Sequence, residues 1–336
     1  MRFDQILLEH GGGGLLSHEL ITETFLPILK NPYLEPLGDG AVFNIGETRF
    51  CLTTDSYVVQ PIFFPGGDIG SLAVHGTVND LAMCGGEPLF LSSAFVLEEG
   101  FPMDSLQRIT QSMADAARNA GVGIVTGDTK VVPRGAADGL FITTSGIGLI
   151  RYAPPLSVKS IRAGDVVLLN GPIGDHGAAI LAQREDLGLT TPVLSDSAPL
   201  NGLVRKILEA SNQVHCMRDA TRGGLGAILA EIAQQAGLEI TLNERNVPIR
   251  EAVRGICEIL GIDPLFLANE GKMVAFCAPE DHDKVLRSMQ EHPLGRETIT
   301  IGQVREGKRG RLILNTVIGG SREVDLPIGE LVPRIC

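Results

Sequence analysis

The sequence contains no tryptophan, and aromatic residues make up only 4% of it. Its core must therefore be aliphatic, and a hydrophobic fraction of 44% makes a sizeable core possible. An excess of positive charge is also missing. The net charge is −12, which argues against a nucleic-acid or membrane-surface binder, since either needs a basic face. A nucleotide site stays open, because carboxylates can hold phosphate through Mg²⁺. No Cys-x-x-Cys pair occurs among Cys51, Cys84, Cys216, Cys257, Cys277 and Cys336. His215-Cys216 is the one close His/Cys neighbour and has no second pair, which speaks against a structural zinc. The cysteines other than Cys336 sit in apolar contexts and read as buried thiols. The start, Met1-Arg2-Phe3-Asp4-Gln5, has no basic region leading into a long apolar stretch, so no signal peptide is expected. No run of about 18 apolar residues suggests a membrane span. A reducing cytoplasm is the expected setting.

Glycine, in contrast, is abundant. The 41 glycines point to tight turns and close backbone approaches. The length of 336 residues suggests two domains. Residues 1–35 read as an arm with the run Gly11-Gly12-Gly13-Gly14 and a short apolar segment from Leu15 to Leu29. Residues 36–150 and 151–326 read as two α/β regions, joined by a linker over 151–163. Residues 327–336 read as a mobile tail. Asp68 is placed to cap a helix running to Cys84 and stopped by Gly85-Gly86. Apolar residues at 103, 106, 109, 113, 116, 117 and 120 have helical spacing, and Gly121 ends the pattern. Strands are expected near 88–97, 122–132, 140–150, 166–170, 214–217, 272–277, 298–304 and 312–315.

The chemistry-bearing feature is a set of aspartates in small or polar surroundings: Asp39, Asp55, Asp80, Asp128 and Asp219. Asp55, Asp128 and Asp219 each follow a strand-like run, and strand ends in α/β folds gather around a common crevice. Carboxylates converging there would repel one another unless a hard cation such as Mg²⁺ held them. Turn capping is the competing explanation for each. The glycine loops 171–177 and 221–226 enter helices, where amides can bind phosphate. Neither ends in the Gly-Lys-Ser/Thr of a Walker A loop. His10, His18, His75, His176 and His215 show no metal spacing. His75 and Asn79 share one helix face next to Asp80, which is either site-facing or structural. In Asn269-Glu270-Gly271-Lys272 an acid and a base lie two apart, so the pair is either exposed at a turn or part of a site.

The sequence ends on Pro333-Arg334-Ile335-Cys336. Cys336 is either a frayed end or a nucleophile on a movable arm. An extended segment of about ten residues reaches roughly 30 Å.

Gly38-Asp39-Gly40-Ala41-Val42, Thr53-Thr54-Asp55-Ser56, Val78-Asn79-Asp80-Leu81-Ala82-Met83-Cys84-Gly85-Gly86 and Gly127-Asp128-Thr129 occur in this order. Together they resemble the ATP-binding superfamily of aminoimidazole ribonucleotide synthetase, thiamine monophosphate kinase and selenophosphate synthetase, over about residues 36–325. Within it, the Gly-rich arm, Arg218-Asp219-Ala220-Thr221-Arg222-Gly223-Gly224-Leu225, Asn269-Glu270-Gly271-Lys272 and the ending Pro333-Arg334-Ile335-Cys336 are similar to the HypE family of hydrogenase maturation proteins. The resemblance implies an α/β (α+β) fold. Its N-terminal domain forms a β-barrel with a second subunit of a homodimer, followed by a C-terminal α/β domain and a flexible tail. It implies ATP and Mg²⁺ as cofactors. Asp55, Asn79, Asp80, Gly127, Asp128 and Thr129 would bind nucleotide, and Asp39, Asp55, Asp80, Asp128 and Asp219 would bind metal. It implies a reaction as well. Cys336 would take a carbamoyl group from the carbamoyltransferase HypF. ATP-dependent dehydration would give a thiocyanate, and the cyano group would pass to a HypC–HypD scaffold for the iron of a [NiFe]-hydrogenase. Glu270 would be the base, and Lys130 or Lys272 would neutralise charge on the phosphorylated oxygen.

Two other readings compete. A small-molecule synthetase such as selenophosphate synthetase would need a reactive Cys and Lys in the arm, but residues 1–29 contain neither. A non-enzymatic ATP-gated scaffold would dock its tail without changing it.

Overall fold

The structure, a computed structural model, describes residues 4–184, 188, 191–329, 332 and 334–336. Pro333 of the tail motif lies outside the described residues. The arm forms α1 (Gly14–Leu20) and α2 (Leu26–Leu29), with a π-helical stretch Ile21–Phe25 between them. Strands β1 (Ala41–Ile45) and β2 (Thr48–Tyr57) follow, then the small hairpin β3 (Phe63–Phe64) and β4 (Gly67–Asp68). After helix α3 (Ile69–Met83) come β5 (Gly86–Glu98), α4 (Met103–Ala120), β6 (Gly123–Val132) and β7 (Leu140–Ile150). The five long strands form one sheet in the order β1-β2-β7-β5-β6, antiparallel except for the β5–β6 pair.

Burial alternates along the whole of β7, as the period of two requires of a sheet with one covered face. Helices α3 and α4 cover that face. The other face leaves Val42, Leu52 and Phe90 exposed. Edge strand β6 is exposed along almost its whole length, including Val125 and Val131.

Helix α3 starts where Asp68 Oδ1 accepts the amides of Gly70 (2.8 Å) and Ser71 (2.9 Å). It is apolar on nearly every side and buried on nearly every side, as a helix enclosed by sheet, α4 and a second domain must be.

The second domain contains β8 (Val166–Leu169), α5 (Asp175–Ala182), α6 (Asn201–Ala210), β9 (Val214–Asp219), α7 (Gly224–Ala236), β10 (Glu239–Asn243) and α8 (Glu251–Leu260). It continues with β11 (Met273–Cys277), α9 (His282–Gln290), β12 (Ile299–Arg305), β13 (Leu312–Asn315) and β14 (Ser321–Glu323). The sheet order is β14-β13-β10-β12-β8-β11-β9, and only β10–β13 is parallel. Strand β11 is buried on both faces. Val274 and Phe276 pack with α7, while Met273, Ala275 and Cys277 pack with α6 and α9. Both sheets are thus mainly antiparallel.

Helices α5 and α8 join the core of the first domain, as do Val332 and Ile335 of the tail. The tail is docked. Pro327 O and Ile328 O accept the amides of Leu15 (3.0 Å) and Leu16 (3.2 Å), and Arg334 O and Cys336 O accept those of Gln60 (3.1 Å) and Val58 (3.0 Å). Gly14 has φ +74°, and a Cβ there would lie 2.4 Å from Pro327 O, so the arm can pass the tail only as glycine. Cys51, Cys216, Cys257 and Cys277 are buried thiols, and Cys84 is half-buried.

Candidate active site

Three carboxylates from three kinds of element converge between the domains. Asp39 sits in the Gly38–Gly40 loop before β1, Asp80 in the last turn of α3, and Asp219 at the end of β9. Ligand oxygens of the three lie within 4.8 Å of one another. On β2, Thr53, Asp55 and Tyr57 share the face turned to α3. Thr53 Oγ1 lies 2.8 Å from both Asp80 Oδ2 and the Asp39 carbonyl oxygen, with one proton shared between the two acceptors, and the Tyr57 hydroxyl donates to Asp55 Oδ2 (3.3 Å).

Burial pushes the Asp39 carboxyl up to about 6, against the opposing pull of Arg218 and with help from Asp55. Burial and the Asp39 charge push Asp219 up to about 8. Burial, then Asp55, Asp219 and Asp39, raise Asp80 well above the carboxylate range. Arg218 Nε lies 2.7 Å from Asp39 Oδ1. Asp219 Oδ2 is buried and has no hydrogen-bond partner among the described residues. Hard oxygen donors, mutual repulsion and an orphaned buried oxygen fit a divalent cation such as Mg²⁺. A cavity of about 480 Å³ opens beside Asp39 and Arg218, walled in part by Tyr33, Leu37, Cys84 and Tyr152.

Glu270 is buried, and its carboxyl is raised by burial and then by the charges of Asp219 and Asp196, with Arg222 opposing. Its Oε1 has no hydrogen-bond partner among the described residues. Its backbone is held firmly. The Glu270 amide donates to Asp196 Oδ1 (3.0 Å), and Asn79 Nδ2 donates to the carbonyls of Glu270 (3.2 Å) and Ala198 (3.1 Å). Asn79 Oδ1 accepts the Leu200 amide (2.7 Å). A Cβ on Gly271 would lie 2.0 Å from Asp196 O, so glycine lets the two loops touch. Lys272 Nζ lies 3.2 Å from Asp196 Oδ2. Asn269 Oδ1 accepts the Gly174 amide (2.7 Å) and its Nδ2 donates to Ala220 O (2.8 Å), which ties both glycine loops to this segment.

The sequence-predicted residues therefore fall into three groups. Asp39, Asp80 and Asp219 meet, with Asp55 and Glu270 close enough for their charges to be felt. Asn79 and Lys272 serve the loop around Asp196. Gly127, Asp128, Thr129 and Lys130 sit together on exposed strand β6, away from the carboxylate cluster of the same chain. There Asp128 Oδ1 accepts the Thr129 amide (2.8 Å), and Lys130 pairs with Asp128. That hydrogen bond from Lys130, then the amide, pulls the Asp128 carboxyl below its usual range. Sequence reasoning passed over Arg218 as a counter-charge, Thr53 as the hydroxyl joining Asp39 to Asp80, and Asp196. The first two lay inside quoted motifs. Asp196 lies in a stretch with no periodicity and gave no signal.

Comparison with known proteins gives the family. Residues 37–150 match the AIR synthase related protein N-terminal domain, and residues 162–315 its C-terminal domain. The carbamoyl dehydratase HypE of Azotobacter vinelandii is 50% identical over 336 residues, covering 100% of this chain and 98% of that protein. A crystal structure of HypE in complex with ATP superposes with a TM-score of 0.83 at 47% identity, covering 99% of this chain and 100% of that one. A HypE–HypF complex gives a TM-score of 0.87 at 46% identity, covering 92% and 99%. The chain belongs to the HypE family of carbamoyl dehydratases, within the AIR synthase related proteins.

Proposed function

We propose that this chain dehydrates an S-carbamoyl group on Cys336 to a thiocyanate, using ATP, and so supplies the cyanide ligand for the iron of a [NiFe]-hydrogenase. The observation that carries this reading is the docked tail. A backbone oxygen of Cys336 accepts the amide of Val58, just beyond the strand that bears Asp55, in a chain half identical to a carbamoyl dehydratase.

The chemistry follows from the leaving group. The carbamoyl oxygen leaves poorly, and as a phosphate ester it leaves well. Phosphorylation of that oxygen removes one N–H proton. Loss of phosphate removes the second and leaves S–C≡N. Glu270, buried and short of a hydrogen-bond partner, is the proposed proton acceptor. Lys272 would neutralise charge on the phosphorylated oxygen. Asp39, Asp80 and Asp219, with Asp55 beside them, would hold Mg²⁺, which offsets phosphate charge when bound.

Lys130, Asp128, Thr129 and Gly127 belong to this site only if β6 lies at a subunit boundary. Its exposed edge and the apolar open face of the sheet support a homodimer whose two sheets close into a barrel. A HypF-type carbamoyltransferase would load Cys336, and a HypC–HypD scaffold would accept the cyanide. Either transfer requires the tail to leave its docked position, so the tail is proposed to alternate between docked and released states. Among the described residues no helix is long and apolar enough to cross a membrane. That is consistent with a cytoplasmic enzyme.

Intact-mass spectrometry tests the reading. With the carbamoyltransferase, carbamoyl phosphate and ATP, Cys336 should gain a carbamoyl adduct that then loses one water. An adduct on a Cys336→Ala variant would refute the carrier role. An adduct that never dehydrates would leave only a scaffold.

A further inference from the structure

We propose that His176 is the positioning residue that fixes the docked tail, and with it Cys336, for the reaction. This rests on Cys336 being the carrier proposed above. His176 lies in the first turn of α5 and is fully buried. Its Nε2 is 2.8 Å from the Ile335 carbonyl oxygen and its Nδ1 is 2.8 Å from Ser195 Oγ. A carbonyl oxygen can only accept, so Nε2 carries the proton. In the neutral ring Nδ1 is then bare and accepts the Ser195 hydroxyl. The ring of Phe64 meets the imidazole edge-on at 5.5 Å and helps to hold its plane. The Ile335 carbonyl belongs to the peptide that joins Ile335 to Cys336. This bond therefore fixes the peptide between the two residues whose oxygens accept the Gln60 and Val58 amides, and with it the backbone from which the thiol projects.

The anchor is tied to the rest of the site by sequence neighbours. Ser195 is held by its amide on Pro65 O (2.8 Å), and its Oγ accepts the Ser197 amide (3.1 Å). Asp196, between them, accepts the Glu270 amide and pairs with Lys272. One short loop thus fixes the imidazole that holds the tail and the backbone that carries the proposed base. The docked tail also needs holding. Arg334 has φ +55°, a left-handed conformation that a residue with a Cβ adopts only when its surroundings hold it there. The His176 bond therefore adds to the backbone bonds that Val58 and Gln60 make to Cys336 O and Arg334 O.

The experiment compares His176→Leu, which fills the space without a donor, with His176→Gln, whose amide can still donate to Ile335. First, the alkylation rate of Cys336 by iodoacetamide is followed by peptide mapping without ATP. It should rise about tenfold in the Leu variant, as expected for loss of one hydrogen bond, and stay within about threefold of the unaltered rate in the Gln variant. Second, chain loaded beforehand with carbamoyl is mixed with saturating ATP. Dehydration in a single turnover should slow about tenfold in the Leu variant with ATP half-saturation unchanged, and Gln should recover most of it. Alkylation no faster in the Leu variant, or Gln no better than Leu, overturns the proposal. If alkylation responds as stated but the unaltered chain never takes a carbamoyl group, the carrier reading fails and the anchor stands. Should His176→Leu not fold, Ser195→Ala, which removes the hydroxyl fixing the tautomer, should accelerate alkylation by about threefold. No acceleration there overturns the proposal equally.

Discussion

Arg218 Nε lies 2.7 Å from Asp39 Oδ1, and this half-buried pair sets one fixed positive charge against the three carboxylates of Asp39, Asp80 and Asp219. Removing one partner of a fully buried ion pair costs about 3–5 kcal/mol, because the other charge is left uncompensated, and a half-buried pair loses part of that. Arg218→Met should therefore lower the melting temperature of metal-free protein sharply. Added Mg²⁺ should restore a larger share of stability in the variant than in the unaltered chain. Thermal melts with chelator and with Mg²⁺ check this, and an equal Mg²⁺ response in both proteins would contradict it.

Asp219 gives the opposite sign. Burial and the Asp39 charge push its carboxyl up to about 8, so the metal-free fold carries it under strain. Asp219→Asn keeps the shape and removes the ionisable group. The metal-free variant should melt higher than the unaltered chain, while its stabilisation by Mg²⁺ and its ATP-dependent turnover fall to near background. A variant that melts lower without metal, or still gains stability from Mg²⁺, would show that Asp219 is not a cation ligand.

The elements that position the site were readable where their causes are local. The Asp68 cap, the Gly85 stop and the apolar period from 103 to 120 mark α3 and α4 to within a residue or two, because capping and periodicity act over one or two turns. The carboxylates were readable as contexts but not as a cluster. Which three meet depends on how the end of β9 docks against α3 and the loop before β1, contacts between residues far apart in sequence. Of the carboxylates that meet, Asp219 closes a strand as its context suggests, while Asp80 arrives on a helix and Asp39 on the loop before β1. The tail was expected to be mobile. Val332 and Ile335 are buried in the structure, and Val58 and Gln60 offer amides to the tail's carbonyls. A short segment with neither helical nor strand period does not announce its own docking site.

His75 yields a pH dependence. It is buried in α3, its Nδ1 lies 2.9 Å from Ser197 Oγ, and burial lowers its pKa from 6.5 to about 4. The unfolded chain then binds the proton more readily than the fold between these two values, so His75 makes stability fall as pH drops through that window. The loss attributable to this group amounts to roughly 3 kcal/mol when complete. Other buried groups titrate nearby, and Asp39 works in the opposite direction. The prediction therefore concerns a difference. Denaturant melts of the unaltered chain and of His75→Gln should diverge little above pH 7. Below pH 6 the unaltered chain should lose stability progressively faster. Parallel stability curves from pH 7 to pH 5 would mean that His75 does not titrate as its burial requires.

Asp196 separates support of the base from support of charge. Its Oδ1 accepts the Glu270 amide at 3.0 Å and its Oδ2 lies 3.2 Å from Lys272 Nζ. Asp196→Asn keeps an acceptor for the amide but removes the charge facing Lys272. Asp196→Ala removes both and leaves a buried amide unpaired, which costs about 1–3 kcal/mol. If Glu270 must be held at a fixed place to take a proton, the Ala variant should lose tenfold or more in single-turnover dehydration at saturating ATP. The Asn variant should then retain most of the rate. If the lysine's charge state dominates instead, Asn and Ala should be equally slow, because the ion pair is gone in both. Folding of each variant is checked by its melting curve, and dehydration of preloaded Cys336 by intact mass. Full activity in the Ala variant would remove the loop around Asp196 from any role in placing Glu270.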